Sequence, residues 1–371
     1  MAWPTVIIKI LNLMFGPIAG VEFHFLYLVY GTVSEGDTRH LMMIDNTSDL
    51  DGKQFAHIDA AHLATLKAAQ LNGKQNWTAG IMVLKPEDEW QEAVFKANET
   101  SSFETTVICW PMTTKAEVEE AIALRAELKN KLSRETFVIA TTPAVNADPA
   151  NGQTWAEWLA ATVNIPKDVA SEYITVVPQV HQNNSTIGIY AGRLSNQEVS
   201  IADTPARVKT GSVLGDTELA KDKTGKPMDL ATLRTLESNR LAVPMWYPDY
   251  PGQYWTTGRT LDVPGGDYQD IRHIRVAMKA ARKVRVRAIA RIGDRTLNST
   301  PESIFAAKKY LSKDLREMAR TGTPGEIYPP EEEDIQIKWV NSTDVEIGMQ
   351  VQPYECPVKI TVSISIKQGE Y

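Results

Sequence analysis

Between residues 59 and 177 helical and extended patterns alternate without a break, and this alternation restricts the fold more than any other feature of the sequence. Extended apolar runs occur at 77–84 (WTAGIMVL), 105–110 (TTVICW), 136–141 (TFVIAT) and 172–177 (EYITVV). Helical patterns at 87–98, 115–132 and 154–162 separate them, and another precedes them at 59–71. The best of these, 115–132, places Val118, Ile122, Leu128 and Leu132 on one side. Glu119 and Glu120 stand near its start and Lys129 and Lys131 near its end, the order that suits the helix dipole. Strands joined through helices pair in parallel, and such a sheet is covered by helices on both faces. The chain, at 371 residues, is long enough for two or three domains.

A sheet of this kind commonly carries an active site at the carboxyl ends of its strands. The segments found there are Lys85-Pro86-Glu87-Asp88, Pro111-Met112-Thr113-Thr114 and Thr142-Pro143-Ala144-Val145, none of them a glycine-rich phosphate loop. No GxGxxG, GxxxxGK[ST] or GxSxG occurs anywhere in the chain. His57 and His62 are five apart, one residue off the spacing that aligns two ligands on a helix, and His181 lies in a polar loop with no acid beside it in sequence. The acids Glu331, Glu332, Glu333 and Asp334 read as a solvated run. Two cysteines, Cys109 and Cys356, make neither a disulfide framework nor a four-thiolate metal site, and they suit a reducing compartment.

The second half is organised around residues 246–298. Residues 186–230 read as a short apolar segment (IGIYAGRL) followed by polar loops, and 229–238 as a short helix leading to a strand at 240–246. Trp246, Tyr247 and Tyr250 among Pro248, Pro251 and Gly252 signal a turn, with an extended run at 254–261 after it. Beyond Pro264-Gly265-Gly266 a long helix is predicted, with Asp267 as its cap and apolar residues at Ile271, Ile274, Met278, Ala281, Ala288 and Ile292. It is strongly basic, and Arg272, Arg275, Lys279, Arg282 and Lys283 fall on one face. A charge run is ordinarily a solvated face, but a run of one sign in a chain of net charge −7 points to an acidic partner. Arg259, in its aromatic setting, is expected to pair with a carboxylate or to stack on Trp255. A second helix is predicted from the Thr300 cap and Pro301 to about residue 320. Three strands with period-two patterns end the chain, at 335–339, 345–351 and 358–366.

At the other end, residues 5–11 (TVIIKIL) and 21–30 (VEFHFLYLVY) look extended. They form either one local hairpin or, for residues 1–15, an arm that pairs with the sheet edge of another subunit. Lys9, Asn12, Glu22 and His24 interrupt the apolar stretch, so a membrane span is not expected. The fold class is therefore mixed, α/β and α+β. Its N-terminal part carries a largely parallel sheet flanked by helices, and its C-terminal part carries two long helices and an antiparallel β end.

Several short motifs occur in a telling order. They are Ala202-Asp203-Thr204-Pro205-Ala206-Arg207-Val208, then Trp255 with Arg259-Thr260-Leu261, then Gly266-Asp267-Tyr268-Gln269 before the basic helix. Thr296-Leu297-Asn298-Ser299-Thr300-Pro301 and Pro324-Gly325 follow, ahead of the β-rich end. Over residues 200–366 this order resembles the C-terminal domain of phage contractile tail sheath proteins, above all a small divergent group from Mu-like and other temperate phages. The N-terminal half lacks the opening glycine-valine pattern of better-known sheaths.

The resemblance implies an N-terminal arm at 1–20, an α/β domain at 21–200, a C-terminal sheath domain at 201–355 and a C-terminal arm at 356–371. It implies a structural subunit rather than an enzyme, needing no cofactor. The subunit would polymerise with its own kind, as hexameric rings stacked helically around a tail tube, and contract to drive the tube through the host envelope. Further partners would be baseplate and tail terminator proteins, without nucleic acid or membrane insertion. Its place would be the virion, after assembly in the host cytoplasm. Arg272, Arg275, Lys279, Arg282 and Lys283 would face the tube. Val6, Ile8 and Ile10, with Val358, Ile360, Val362, Ile364 and Ile366, would exchange as strands between subunits. The alternatives are a hydrolase-like α/β enzyme with a site assembled from dispersed loops, and a nucleic-acid binder using the basic helix, which the net charge disfavours.

Overall fold

The computed structural model describes residues 20–32 and 41–364. In chain order its elements begin with β1 (Phe25–Tyr30), β2 (Leu41–Asp45), α1 (Ala60–Gly73), β3 (Thr78–Leu84), α2 (Trp90–Thr100) and β4 (Thr105–Pro111). Next come α3 (Lys115–Leu132), β5 (Phe137–Thr142), α4 (Trp155–Asn164), β6 (Ile174–Pro178), α5 (Thr186–Leu194) and α6 (Leu230–Ser238). The last part holds β7 (Pro244–Tyr247), β8 (Tyr250–Trp255), α7 (Ile271–Ile289), α8 (Pro301–Met318), β9 (Ile335–Trp339) and β10 (Val345–Met349).

Six strands form the central sheet in the order β2-β3-β1-β4-β5-β6. Every pairing is parallel except β2 with β3, so the largely parallel sheet flanked by helices is present as expected. β1 lies between β3 and β4, and with both edges taken it leaves no place for a hairpin partner. The hairpin reading of residues 21–30 is thereby corrected. Residues 5–11 lie outside the described residues.

The strand period of two sorts β1 between two cores. Phe25, Tyr27 and Val29 face a cluster with Leu66 of α1, Ile187 and Tyr190 of α5, and Ile271, Ile274 and Met278 of α7. Leu26 and Leu28 face the opposite cluster, with Val94 of α2, Val118 and Leu124 of α3, Trp158 of α4 and Leu236 of α6. Burial on both faces is why these strands are apolar throughout rather than alternating. α3 starts and stops as the sequence indicates, because Thr114 and Glu117 close a capping box.

The segment read as merely apolar, IGIYAGRL, is α5, a helix with all nine residues buried. It lies so close on α1 that a Cβ added to Gly188 would come within 2.1 Å of the Thr65 carbonyl oxygen, and one at Gly192 within 2.4 Å of that of Ala69. Only glycine permits this approach.

The basic helix α7 is buried on two sides. Ile271, Ile274 and Met278 meet the central sheet's layer, while Val276, Ala280 and Val284 meet Leu311, Leu315 and Met318 of α8 and Ile335 of β9. Its cap is Asp270, whose Oδ1 accepts from the Arg272 amide at 3.2 Å, not Asp267 as the sequence suggests. α8 is capped by Thr300 with Pro301 in its first turn, as expected. β9 and β10 pair antiparallel, and Asn341 turns one into the other by accepting from the Thr343 and Asp344 amides. The third C-terminal strand is not formed within the subunit: residues 358–364 carry no strand pairing.

Candidate assembly surfaces

The motifs scattered along the second half converge on the start of α7. Thr204 donates its hydroxyl to Asp270 Oδ2 at 2.7 Å, so the Ala202–Val208 loop holds the capping residue. Arg259 bridges to Asp270 through the backbone, the Thr260 amide donates to the Gln269 carbonyl at 3.1 Å, and the Ile271 amide donates to that of Gly258 at 2.7 Å. Arg259 pairs with the Glu237 carboxylate at 2.6 Å and donates to Gln269 Oε1 at 3.0 Å, so of its two expected roles the carboxylate pair is observed. Arg193 fixes the same loop from inside, donating to the carbonyls of Pro205, Arg207 and Gly211, each at 2.9 Å. Burial pushes its guanidinium down to about 10.

The face expected to be free and positive is instead an internal seam. Arg275 is 3% exposed and Glu104, at the foot of β4, is fully buried. Arg275 Nε and Nη2 donate to the two Glu104 oxygens, each at 2.8 Å, and Nη1 donates to the Leu194 carbonyl at 3.0 Å. Glu104 also accepts from the Phe23 amide at 2.8 Å. Arg272 is buried and donates to the Tyr354 carbonyl at 2.7 Å. Lys279 pairs with buried Glu326 at 2.6 Å. Arg282 pairs with Glu22 at 2.8 Å and donates to the Glu135 carbonyl at 3.1 Å. Burial alone would raise the Glu22 carboxyl, but the charge and hydrogen bond of Arg282 outweigh it and hold the pKa below the usual range. Only Lys283, with a looser 3.6 Å contact to Glu317, keeps a solvated setting. The helical spacing was right, but the acids that neutralise these cations lie far away in sequence, where spacing cannot show them. The one local hint was an acid, Glu104, directly before an apolar strand.

The residues expected to exchange as strands divide in two. Val6, Ile8, Ile10 and Ile366 lie outside the described residues. Val358, Ile360, Val362 and Ile364 are 63%, 77%, 73% and 88% exposed. A second exposed apolar group stands where α7 leads into α8: Ile289, Ile292 (80%) and Phe305.

Among the described residues the histidines His62 and His181 are structural. Fully buried His181 meets neutral side chains at both ring nitrogens. Gln253 donates through Nε2 to the Thr217 carbonyl, so its Oε1 faces His181 Nε2 at 3.0 Å and takes that ring proton. Nδ1 meets the Thr186 hydroxyl at 2.9 Å, and burial lowers the ring's pKa. His62 accepts the Tyr30 amide at 2.8 Å. Among the described residues no three His, Cys, Asp or Glu side chains cluster as metal ligands, and no helix is long and apolar enough to cross a membrane. Two hollows, one lined by Tyr310 and Leu311 and one by Arg134 and Arg282, each hold about 20 Å³, a water's worth of space rather than a substrate's.

The described residues form a mixed α/β body with an exposed apolar run at 358–364. The structure is similar to the anti-feeding prophage helical sheath in its contracted state (TM-score 0.61, 12% identity, 98% of this chain and 99% of that one). It is also similar to the PVC sheath complex of an extracellular contractile injection system (0.59, 14%, 98% of each chain). A third likeness is to the sheath tail protein of Desulfitobacterium hafniense (0.56, 10%, 95% and 96%). At these identities the likenesses establish the fold. In sequence the chain is 39% identical over 372 aligned residues, 98% of itself and 97% of the relative, to a provisionally named tail sheath protein of Haemophilus phage HP1 (strain HP1c1). Residues 3–259 match the N-terminal domain and 267–369 the C-terminal domain of the DUF2586 family. The chain belongs to that family, and it is a structural subunit of a contractile phage tail sheath.

The internal seam makes a sharp prediction. Arg275→Met leaves Glu104 buried without its counter-charge, and the isolated subunit should lose about 3–5 kcal/mol of stability in urea unfolding. Unchanged subunit stability together with lost assembly would mean that Arg275 serves a partner instead.

Proposed function

We propose that the subunit polymerises through its terminal arms, residues 1–20 and 356–371, as hexameric rings stacked helically around a tail tube. It is then a virion component assembled in the host cytoplasm, meeting baseplate and tail terminator proteins at the sheath's ends. The observation that carries this reading is the run Val358, Ile360, Val362, Ile364. It alternates as a strand does, exposes its apolar side chains and has no strand partner among the described residues. The β9–β10 pair has unpaired outer edges among the described residues, and a strand from a neighbour adds to such an edge through main-chain hydrogen bonds. Contraction needs no chemistry: a metastable packing of subunits relaxes when bistable interfaces rearrange.

Among the described residues, deleting 356–371 removes none of the buried core. The shortened chain should keep its unfolding midpoint, remain monomeric, and show no striated tubes or rings in negative stain where the full chain forms them. A truncated chain that still polymerises, or that unfolds, would place the strand inside its own subunit.

Tube contact, in this reading, moves from the internal cations to the exposed junction of α7 and α8, where Ile289, Ile292 and Phe305 stand beside Arg295. Arg295 has no ion-pair partner among the described residues. Apolar contact with one free cation suits an acidic tube wall with apolar neighbours. Ile292→Glu combined with Phe305→Glu should leave sheath–sheath polymers intact and reduce sheathed tube at least tenfold when mixed with tube protein. Normal sheathed tubes from this variant would put the junction elsewhere.

A further inference from the structure

Six of the cations on α7 meet acids within the subunit, as described above for Arg275, Lys279, Arg282 and Lys283, as Arg287 does with Asp314 at 2.7 Å, and as Arg272 does more loosely with Asp270 at 3.9 Å. Arg285 does not. It is exposed and has no hydrogen-bond or ion-pair partner among the described residues. It lines a shallow cleft with Arg134, Arg282 and Val286. Arg134 is half-buried and also lacks a carboxylate: it donates to the Asn98 carbonyl at 3.1 Å through Nη2 and to the Ser102 hydroxyl through Nη1. Burial and the neighbouring Arg285 charge both push the Arg134 guanidinium down, the mark of cations crowded without an anion. The acids nearby are already engaged, Glu22 by Arg282 and Glu135 by Arg125 (2.8 Å) and Lys129 (3.1 Å). The cleft is therefore a site of uncompensated positive charge in a chain of net charge −7.

The opposite deficit lies on the other side of the helical pair. Glu331, Glu332 and Glu333 are exposed, and their carboxylates have no cation partner among the described residues. The run is held in shape: the Glu331 amide donates to Asp334 Oδ2 at 2.8 Å, and Lys308 of α8 donates to the Glu332 carbonyl at 3.2 Å. It follows Pro329 and Pro330 and leads directly into β9, so it projects from a fixed base. The cleft side chains Arg282, Arg285 and Val286 lie on the side of α7 away from Val276, Ala280 and Val284, which meet α8. Cleft and acidic loop thus lie on opposite flanks of the α7–α8 pair and do not neutralise each other within one subunit.

We propose that the cleft of one copy receives the Glu331–Glu333 loop of the next, a head-to-tail contact between copies of this chain. The contact rests on the sheath reading, in which identical copies must join through unlike surfaces. Two different, complementary patches on opposite flanks generate a ring or a helical row rather than a closed twofold dimer. Opposite charge also fixes the register in which the copies meet and excludes wrong pairings of cleft with cleft. Because the groups remain solvated, the contact is weakened by salt and is readily broken and remade.

The test reverses charge on each side and then on both. Arg285→Glu alters a side chain with no partner among the described residues, and Glu331→Lys, Glu332→Lys, Glu333→Lys alters an exposed loop, so both variants should match the wild type in thermal unfolding. Each should raise the concentration needed for polymer formation at least tenfold, measured by sedimentation with negative-stain imaging at about 0.05 M salt. The chain carrying all four substitutions should return to within about threefold of wild type. Single-side variants that polymerise normally, or a combined variant no better than the worse of its parents, would overturn the contact. Variants that form empty sheath normally but fail to cover tube would assign the cleft to the tube and overturn it equally. A wild-type chain that forms no polymer under any of these conditions would remove the sheath reading itself.

Discussion

The ion pair between Arg275 and Glu104 is the contact on which the two halves of the subunit depend. It is buried on both sides: Glu104 accepts from two guanidinium nitrogens and from the Phe23 amide, and the third guanidinium nitrogen of Arg275 donates to the Leu194 carbonyl. Phe23 and Phe25 lie against the guanidinium at 5.2 and 5.9 Å. Four segments thereby meet at one point: the entry to β1, the foot of β4, the end of α5 and the second turn of α7. A buried pair adds little net stability over an apolar substitute, because desolvation offsets the attraction. What it contributes here is geometry. α7 presents apolar residues to both neighbours, and such packing could slide along the helix axis; a bidentate pair fixes one register.

From this register the rest follows. With α7 held on the sheet's layer, its far side supports α8, and α8 supports β9 and β10. The body therefore has its apolar packing inside, and its exposed apolar and unpaired charged groups at the margins. The exposed run 358–364, the junction around Ile292, the cationic cleft and the acidic loop are all peripheral to the three cores. Such a division suits a contractile polymer, in which the subunits keep their shape while the contacts between them change.

The sequence made the sheet legible because its strands are apolar runs and two of the helices between them, α3 and α4, open on capping boxes. α3 could be read to the residue, and β9 and β10 from strict alternation. α5 could not be read as a helix: it is buried all round, so it has no polar face to set a period, and its two glycines weaken helix propensity. Its conformation is decided by the close approach to α1, a tertiary fact. β1's central position was hidden for a similar reason, since order within a sheet is not a local property. The cations of α7 were legible as a helical face but not as an internal one. Their partners Glu104, Glu22 and Glu326 are 171, 260 and 47 residues away, and residue types alone do not distinguish a cation awaiting a partner from one already paired.

Hydrogen exchange measured on the isolated subunit and on the assembled sheath tests the central claim most directly. If α7 is an internal seam and the exposed C-terminal run an assembly element, amides 274–284 should be equally protected in both states. Those of 358–364 should exchange freely in the subunit and become protected by at least a hundredfold in the polymer. Protection of 274–284 that arises only on assembly, with 358–364 unchanged, would contradict the account and return the basic helix to the subunit's outer surface.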